Sequence, residues 1–501
     1  MNRSYSMIKN IAWELGYYII VVLLGFLAPR FIILTYGSSV NGLSSAITQI
    51  LNVILLLQAG ATTAAMYHLY KPIEDNDLRE IRYQYSAASK YFKRLSIIFL
   101  IIMSVSACIV PFVLKADIEK IYIFSAFCIL GLKSFLDLLF TSKYRILFTA
   151  YQEKYLISIS TLFEQVIYYC LVFVTIYFKW HFIFIYLWFF VGCFIKVLIL
   201  VREKRRKHPE IYEVTVGESK NLVPGTGYSL ANEVSHSITM SSISILIAFL
   251  YGLKESSVYS VYALVFAAID LISLSLYSSF APSFANLVAS SDTKRVSEVF
   301  SIFQFLFALM STFFMMSCTY LLIPFVKLYT SGATDINYIS IQLASLYIVL
   351  SMCSSYRIPY NLVVSSSGFF KQTWRQPVIC AVISIAISIC LGHFNFAYIL
   401  CGPIVFYICN FFYQRFVLRK LAPHTVSKRV FLLILISIIS LFCSYLFSII
   451  LPVNDGISAW ILHAILFVVF AVIILLVLSY LFMRKEFNMA YLYLVGILHH
   501  S

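Results

Sequence analysis

Apolar stretches of about 20 residues, each long enough to cross the hydrocarbon of a bilayer as a helix, recur from one end of this chain to the other. Fourteen can be marked, at roughly 10–34, 42–69, 95–114, 121–142, 156–178, 182–201, 223–250, 257–288, 299–326, 338–364, 376–393, 396–414, 430–451 and 459–483. A segment in lipid must satisfy its own backbone N–H and C=O groups, so spans of this length are helices. The expected fold is therefore an all-α integral membrane protein. Only 12% of the 501 residues are charged and 61% are hydrophobic, whereas soluble chains are about a quarter charged.

Lys and Arg test the span count. With the N-terminus inside, 28 of the 37 fall in segments on the cytoplasmic side, five in outside loops (Lys115, Lys120, Lys179, Lys254, Lys327) and four within spans (Arg30, Lys133, Lys196, Arg357). Cytoplasmic loops of multi-pass proteins collect positive charge, so this alternation supports fourteen spans with both termini cytoplasmic. It also accounts for the net charge of +15 with no nucleic-acid partner. The first apolar run exceeds a signal-peptide core and lacks a small-residue cleavage site, so it is expected to remain as a span. The eleven cysteines lie in or beside apolar runs without a CxxC pair, as small buried hydrophobes do.

No loop is long enough to be a domain. The longest, "REKRRKHPEIYEVTVGESKNL" (202–222), is basic and suits a cytoplasmic linker between two bundles. Leu78, Ile81, Tyr85, Ala88 and Phe92 share helical spacing with Asp77 placed to cap, which predicts a short helix over 73–95 on the cytoplasmic surface. Three matches recur in order at a nearly constant offset: "YG" at 36–37 and 251–252, "DLREI" at 77–81 and "DTKRV" at 292–296, "IVPFVLK" at 109–115 and "LIPFVKL" at 322–328. They point to a duplication of six spans, an even number, so both copies start on the same side. The expected layout is an N-terminal six-helix lobe (1–201), the basic linker (202–222), a C-terminal six-helix lobe (223–420), and two additional helices with a cytoplasmic tail (421–501). Two parallel lobes would enclose a central cavity.

The segments "PRFIILTYGSSVNGLSSAITQILNVILLLQAG" (29–60), "YKPI" (70–73) and "SSGFFKQT" (366–373) resemble the multidrug/oligosaccharidyl-lipid/polysaccharide (MOP) exporter superfamily, specifically its polysaccharide-transporter branch of Wzx-like, O-antigen-type flippases. The resemblance implies two six-span lobes around a V-shaped cavity with spans 13 and 14 appended. It also implies a polyprenyl-diphosphate-linked oligosaccharide as substrate, carried from the cytoplasmic to the outer leaflet of a bacterial inner membrane by a monomer. A polysaccharide polymerase and glycosyltransferases are the partner candidates.

Polar residues within spans give the candidate site. Asn41, Ser45, Thr48, Gln49, Asn52, Thr62 and Thr63 fall mostly on one face of span 2; Ser229, Asn232, Glu233, His236 and Thr239 do so on span 7; Asp270 and Ser273 lie on span 8. Together they suggest a wet cavity, with helix packing through Ser and Thr accounting for part of the pattern. Arg30 follows Pro29, and Arg357 lies before Pro359 with Asn361 one turn on. A guanidinium is expensive in hydrocarbon and presents a fork of donors matched to phosphate. Arg30, Arg357, Asn361, Gln49 and Asn52 are therefore the candidates for diphosphate or cavity contact. The alternative for the two arginines is a structural ion pair with Glu14, Glu164, Asp137 or Asp270, although Glu14 is about 24 Å from Arg30 along the helix. Glu233, His236 and Asp270 are candidates for Na⁺ or H⁺ coupling, or alternatively hydrogen-bonded polar groups. Lys133 and Asp137, at i and i+4, are expected to neutralise each other, and Lys196 to snorkel.

No GxxxxGK[ST], HExxH or CxxC motif is present, so neither P-loop ATP hydrolysis nor a metal cofactor is expected. The alternatives are a cation-coupled multidrug exporter of the same superfamily, a non-transporting scaffold, or a membrane glycosyltransferase or polymerase. The short outside loops disfavour the enzyme.

Overall fold

The computed structural model describes residues 3–58, 61–214, 226–289, 293–425, 429–454 and 456–490. In chain order the helices are α1 (Arg3–Tyr36), α2 (Ser38–Leu55), α3 (Ala61–Glu74), α4 (Leu78–Val113), α5 (Lys120–Leu136), α6 (Ser142–Ala150), α7 (Tyr155–Tyr177), α8 (Ile183–Lys207), α9 (Thr226–Leu250), α10 (Leu253–Ala289), α11 (Thr293–Tyr329), α12 (Ile341–Ser366), the one-turn α13 (Phe370–Thr373), α14 (Arg375–Gly392), α15 (Cys401–Leu421), α16 (Val430–Ile450) and α17 (Ile457–Phe482). The described residues contain no strand. Thirteen helical segments among the described residues are long and apolar enough to cross a membrane. The fourteenth expected span is α12, 26 residues long, whose apolar character is diluted by serines, Arg357 and Asn361.

The offset expected from the sequence repeats recurs in where helices begin. α2 and α10 start 215 residues apart, as do α4 and α11. Gly37 and Gly252 stand just before α2 and α10 with φ of 87° and 128°, a conformation that L side chains rarely adopt. Pro111 and Pro324 each sit near the C-terminal end of their helix.

Two expectations are corrected. Of the surface helix expected over 73–95, residues 78–95 are the first part of α4, which runs unbroken for 36 residues, while 73 and 74 end α3. Asp77 does cap it, its Oδ1 accepting from Arg79 N and Glu80 N at 3.0 and 3.1 Å. The stripe Ile81, Tyr85, Ala88, Phe92 continues without a breaker into Leu95, Phe99, Met103, Ala107 and Val110, all buried in one core. Helical spacing showed the apolar face but not that protein covers it. Span 2, in turn, ends near Gln58, and Thr62 belongs to the separate helix α3; the Thr63 side chain lies outside the described residues.

Contact density divides the chain into Met1–Ser257 and Val258–Ser501. In the first unit, α2, α4, α5 and α6 share a core around Leu43, Ile47, Phe99, Phe127 and Leu147, while Ile32 of α1 packs with Tyr168, Val172 and Ile185 of α7 and α8. Lipid tails are as apolar as leucine, so such helices are held by close packing and polar contacts more than by transfer out of water. Gly42 shows how close: a Cβ there would stand 1.8 Å from the Leu253 carbonyl oxygen. In the second unit, Phe284, Phe300, Tyr360, Phe411 and Leu418 form one core. α17 buries the i, i+4 stripe His463, Phe467, Ala471, Leu475 and Ser479 and exposes Ile461, Ile465, Val469 and Val472 on the other side, the pattern of a helix with one protein face and one lipid face.

Candidate functional site

The polar face of α2 meets α9 and the first residues of α10 within the first unit. Asn41 Nδ2 donates to Ser257 Oγ at 2.8 Å, Ser45 and Ser244 hydroxyls lie 3.1 Å apart, and Ser241 Oγ donates to Gln49 Oε1 at 3.0 Å. These bonds use hydroxyls and amides to join helices where apolar burial contributes little. One helical turn beyond Gln49 the contact opens. Asn52 is exposed and, with Gln58, His236, Ser237 and Ser241, lines an open depression of about 510 Å³. Asn52 and His236, proposed for different roles, thus share one wall; Glu233 is exposed one turn earlier on α9. Thr239 is buried and donates to Ser235 O. The Ser229 side chain is outside the described residues.

Charges inside the first unit gather in a buried cluster where α5, α7 and α8 meet. Lys196 Nζ of α8 lies 2.8 Å from Asp137 Oδ1 and 3.0 Å from Glu164 Oε2 of α7. Lys133 Nζ is 3.3 Å from Glu164 Oε1, and Arg145 of α6 approaches Asp137 at 3.9 Å. Two expectations change here. Asp137 does not pair with Lys133 on its own helix; it opens a π-helical turn over Asp137–Thr141 and pairs across to α8. Lys196 does not snorkel to an aqueous end, being 3% exposed. α8 can come this near because of Gly192, where a Cβ would lie 2.8 Å from the Glu164 carbonyl oxygen.

Three of the four acids proposed as partners for the interior arginines are engaged with other cations, and Asp270 forms no ion pair among the described residues. Glu14 pairs with Lys154 at 2.7 Å, and Glu164 and Asp137 belong to the cluster above. Arg30 is half-buried on α1 between the buried Ala28 and Ile32.

The second unit handles charge differently. Arg357, in the middle of α12, is 7% exposed. Its guanidinium carbon stands 5.4 Å from the centre of the Tyr407 ring of α15, its Nε is buried without a hydrogen-bond acceptor, and it forms no ion pair among the described residues. Asn361 follows one turn on, half-buried, and Asp270 is exposed on α10. Above Arg357 on α12, Tyr347 stacks on Phe266 at 4.1 Å, and its hydroxyl is 3.4 Å from that of Tyr259. A guanidinium in such a place has a ring quadrupole beside it but no counter-charge, so it can take an anion.

Arg415 was expected in a cytoplasmic segment. It lies inside α15, 3% exposed, with Nη1 donating to Tyr360 Oη at 2.9 Å and Gln304 Nε2 donating to the same oxygen at 3.1 Å. The sequence signal was there: Asn410 and Gln414, at i and i+4, mark a polar face that continues the span past 414.

Where α8 ends, the linker is held in place. Lys207 Nζ is 2.7 Å from Glu153 Oε1, and His208 Nε2 is 3.1 Å from Glu153 Oε2. Burial alone would push the Glu153 carboxyl up, but hydrogen bonds from His208 and Lys207 outweigh it and hold the group below its usual range. Ile211 is fully buried in the α2–α6 core, and Glu213 pairs with Lys143 at 2.7 Å. Linker residues 215–222 lie outside the described residues.

No family model and no curated protein matches this sequence. Solved structures do match. An inward-facing multidrug resistance MATE transporter of the MOP superfamily aligns with a TM-score of 0.67 at 11% identity, over 82% of this chain and 98% of its own. The lipid II flippase MurJ, in an inward closed conformation, aligns with a TM-score of 0.65 at 13% identity, over 95% of this chain and 99% of its own. A MOP superfamily transporter from Pyrococcus furiosus, described as having a binding pocket of reverse polarity, aligns with a TM-score of 0.55 at 11% identity, over 83% of this chain and 95% of its own. The chain is a multi-pass, all-helical protein with the fold of MOP superfamily transporters, the fold shared by MATE exporters and MurJ.

Proposed function

We propose that this protein is a flippase for a polyprenyl-diphosphate-linked oligosaccharide, moving it from the cytoplasmic to the outer leaflet of a bacterial inner membrane for surface-polysaccharide assembly. The observation that carries this reading is Arg357: a guanidinium 7% exposed in mid-span, beside a tyrosine ring and without a carboxylate partner. An isolated buried charge is costly, and the cost is offset when an anion docks. A diphosphate leaving the headgroup region needs a donor of this kind. Arg30 serves as the second contact, and Asn52, Gln49 and Asn361 meet the sugars or water. The protein acts by alternating access, with the polyprenyl tail left in lipid and both termini cytoplasmic. The match to MurJ over nearly all of both chains supports the choice, since the MATE transporter leaves about a fifth of this chain unmatched.

A second reading, export of drugs coupled to Na⁺ or H⁺ through Glu233, His236 or Asp270, is favoured by the TM-score of 0.67 to the MATE transporter. One experiment separates the two. The gene is deleted, polyprenyl lipids are extracted and weighed by mass spectrometry, and drug susceptibility is recorded in parallel. Accumulation of a completed oligosaccharide diphosphate, reversed by the intact gene but not by Arg357→Gln at equal protein level, is the expected result. Unchanged lipids and surface glycan with increased drug sensitivity would overturn the flippase reading in favour of the exporter.

A further inference from the structure

Arg415 raises a question that the transport reading does not answer. It lies eight residues along α15 from Tyr407, about 12 Å from the level of Arg357, and is more deeply buried than Arg357. One of its nitrogens, Nη1, donates to a neutral hydroxyl; the other, Nη2, is buried and has no acceptor. Its guanidinium carbon lies 5.1 Å from the centre of the Phe431 ring, at the start of α16. Among the described residues it forms no ion pair.

Tyr360 sharpens the point. Its oxygen accepts from both Arg415 and Gln304, so its own proton remains to be donated, and no acceptor for it is found among the described residues. The charges that reach this hydroxyl are Arg415 and Arg419, both positive. Nη1 and Nη2 belong to one rigid fork, so the free N–H of Arg415 and the O–H of Tyr360 emerge within a few ångströms of each other. Gln304 fixes the phenol from α11, and the fully buried Tyr360 ring is held by Phe300 and Phe411 at 5.9 and 5.4 Å between ring centres. Two donors, one cation and no carboxylate, held by three helices, make the chemistry of an anion receptor rather than of an ion pair.

We propose that Arg415 and Tyr360, positioned by Gln304, form a second anion site in the Val258–Ser501 unit that binds a phosphate group. The ligand chemistry is a phosphate monoester, diester or diphosphate, from a lipid headgroup or from solution. This site is separate from Arg357 and holds its ligand whether the cargo is a glycolipid or a drug.

The full chain is purified in dodecyl maltoside, a phosphate-free detergent, and unfolded thermally with tryptophan fluorescence as the readout. Inorganic pyrophosphate is titrated in, and a second series adds phosphatidylglycerol to the micelles. Stabilisation by pyrophosphate assigns the site to a soluble or substrate phosphate; stabilisation by phosphatidylglycerol alone assigns it to a lipid headgroup. In either case Arg415→Gln should abolish the shift, Tyr360→Phe should raise the half-saturating concentration severalfold, and Arg357→Gln should leave the shift in place. Equal shifts in wild type and Arg415→Gln, or no shift with either ligand, would overturn the proposal. If Arg415→Gln does not fold, Tyr360→Phe decides: it keeps the guanidinium, and a titration identical to wild type sinks the site. A site that belongs only to the transport cycle would fail here while the lipid-accumulation experiment still succeeded, so the two ideas fall separately.

Discussion

Replacing Lys196 by methionine tests whether the cluster in the first unit is held by its ammonium. Methionine keeps most of the aliphatic length and removes one charge, so packing changes little. The ammonium has two contacts, 2.8 Å to Asp137 and 3.0 Å to Glu164. A hydrogen bond to a charged group contributes about 1.5–3 kcal/mol, which gives roughly 3–6 kcal/mol for the pair. Neither carboxylate is stranded, because Glu164 keeps Lys133 at 3.3 Å and Asp137 keeps Arg145 at 3.9 Å, so the loss falls at the lower end, about 3 kcal/mol. At about 2–4 °C per kcal/mol for a unit of this size, Lys196→Met should lower the unfolding midpoint of the first unit by roughly 6–12 °C. The assay is thermal unfolding in matched nanodiscs. The double variant Lys196→Met/Glu164→Gln removes the carboxylate that has lost its nearer cation and should recover part of the loss, with a coupling of about 0.5–3 kcal/mol. A loss below about 1 kcal/mol, or a double variant no better than the sum of its singles, would refute the argument and return Lys196 to the role of a snorkelling side chain.

Two further outcomes follow from the geometry. Gly42→Ala places a Cβ 1.8 Å from the Leu253 carbonyl oxygen, so α2 must move away from the following turn; thermal unfolding should show a loss at the upper end of the about 1–3 kcal/mol typical of overpacking, and an unchanged midpoint would contradict the close approach. The carboxylate of Glu153 is held below its usual range in the folded state, so its contribution is present above the unfolded value of about 4.5 and is lost as pH falls through the folded value. Hydrogen exchange at residues 208–214 should therefore quicken as pH is lowered from 5 to 3 beyond the intrinsic pH trend, and Glu153→Gln should remove that extra dependence; a wild type indistinguishable from the variant would exclude the link.

Much of the architecture was legible because it depends on neighbours along the chain. Asp77 announces a helix start by its spacing to an apolar stripe, and Gly37 and Gly252 mark a turn that requires positive φ. Span count and duplication follow from such local rules. What was not legible depends on how helices rotate against one another. Lys133 and Asp137 are neighbours by helical spacing, yet each finds its partner on another helix. The length of α4 was missed for a related reason: an amphipathic stripe shows that something covers it, and both a membrane surface and a protein core satisfy that condition. The burial of Arg415 was missed because span ends are set by apolarity, and the polar face of Asn410, Gln414 and Arg415 resembles a loop until the helix is seen to continue.

The contrast between the units then becomes an argument about division of labour. In the first, Lys133, Lys196 and Arg145 face Asp137 and Glu164 in a cluster 1–4% exposed at Glu164 and Lys196. In the second, Arg357 and Arg415 are each more than nine-tenths buried, with a ring or a hydroxyl where a carboxylate would stand. A duplicated fold starts with equivalent halves, and charge settled internally adds stiffness without adding affinity. Charge left unsettled costs stability until an anion arrives, and the binding energy of that anion is then available to favour one arrangement of helices over another. Under the proposed function, Arg357 supplies the anion contact of the second unit, while Arg30, Gln49 and Asn52 contribute from the first. Neutralising Arg357 or Arg415 should thus raise the stability of the empty protein or leave it unchanged, while neutralising Lys196 lowers it; these opposite signs follow from the same electrostatics.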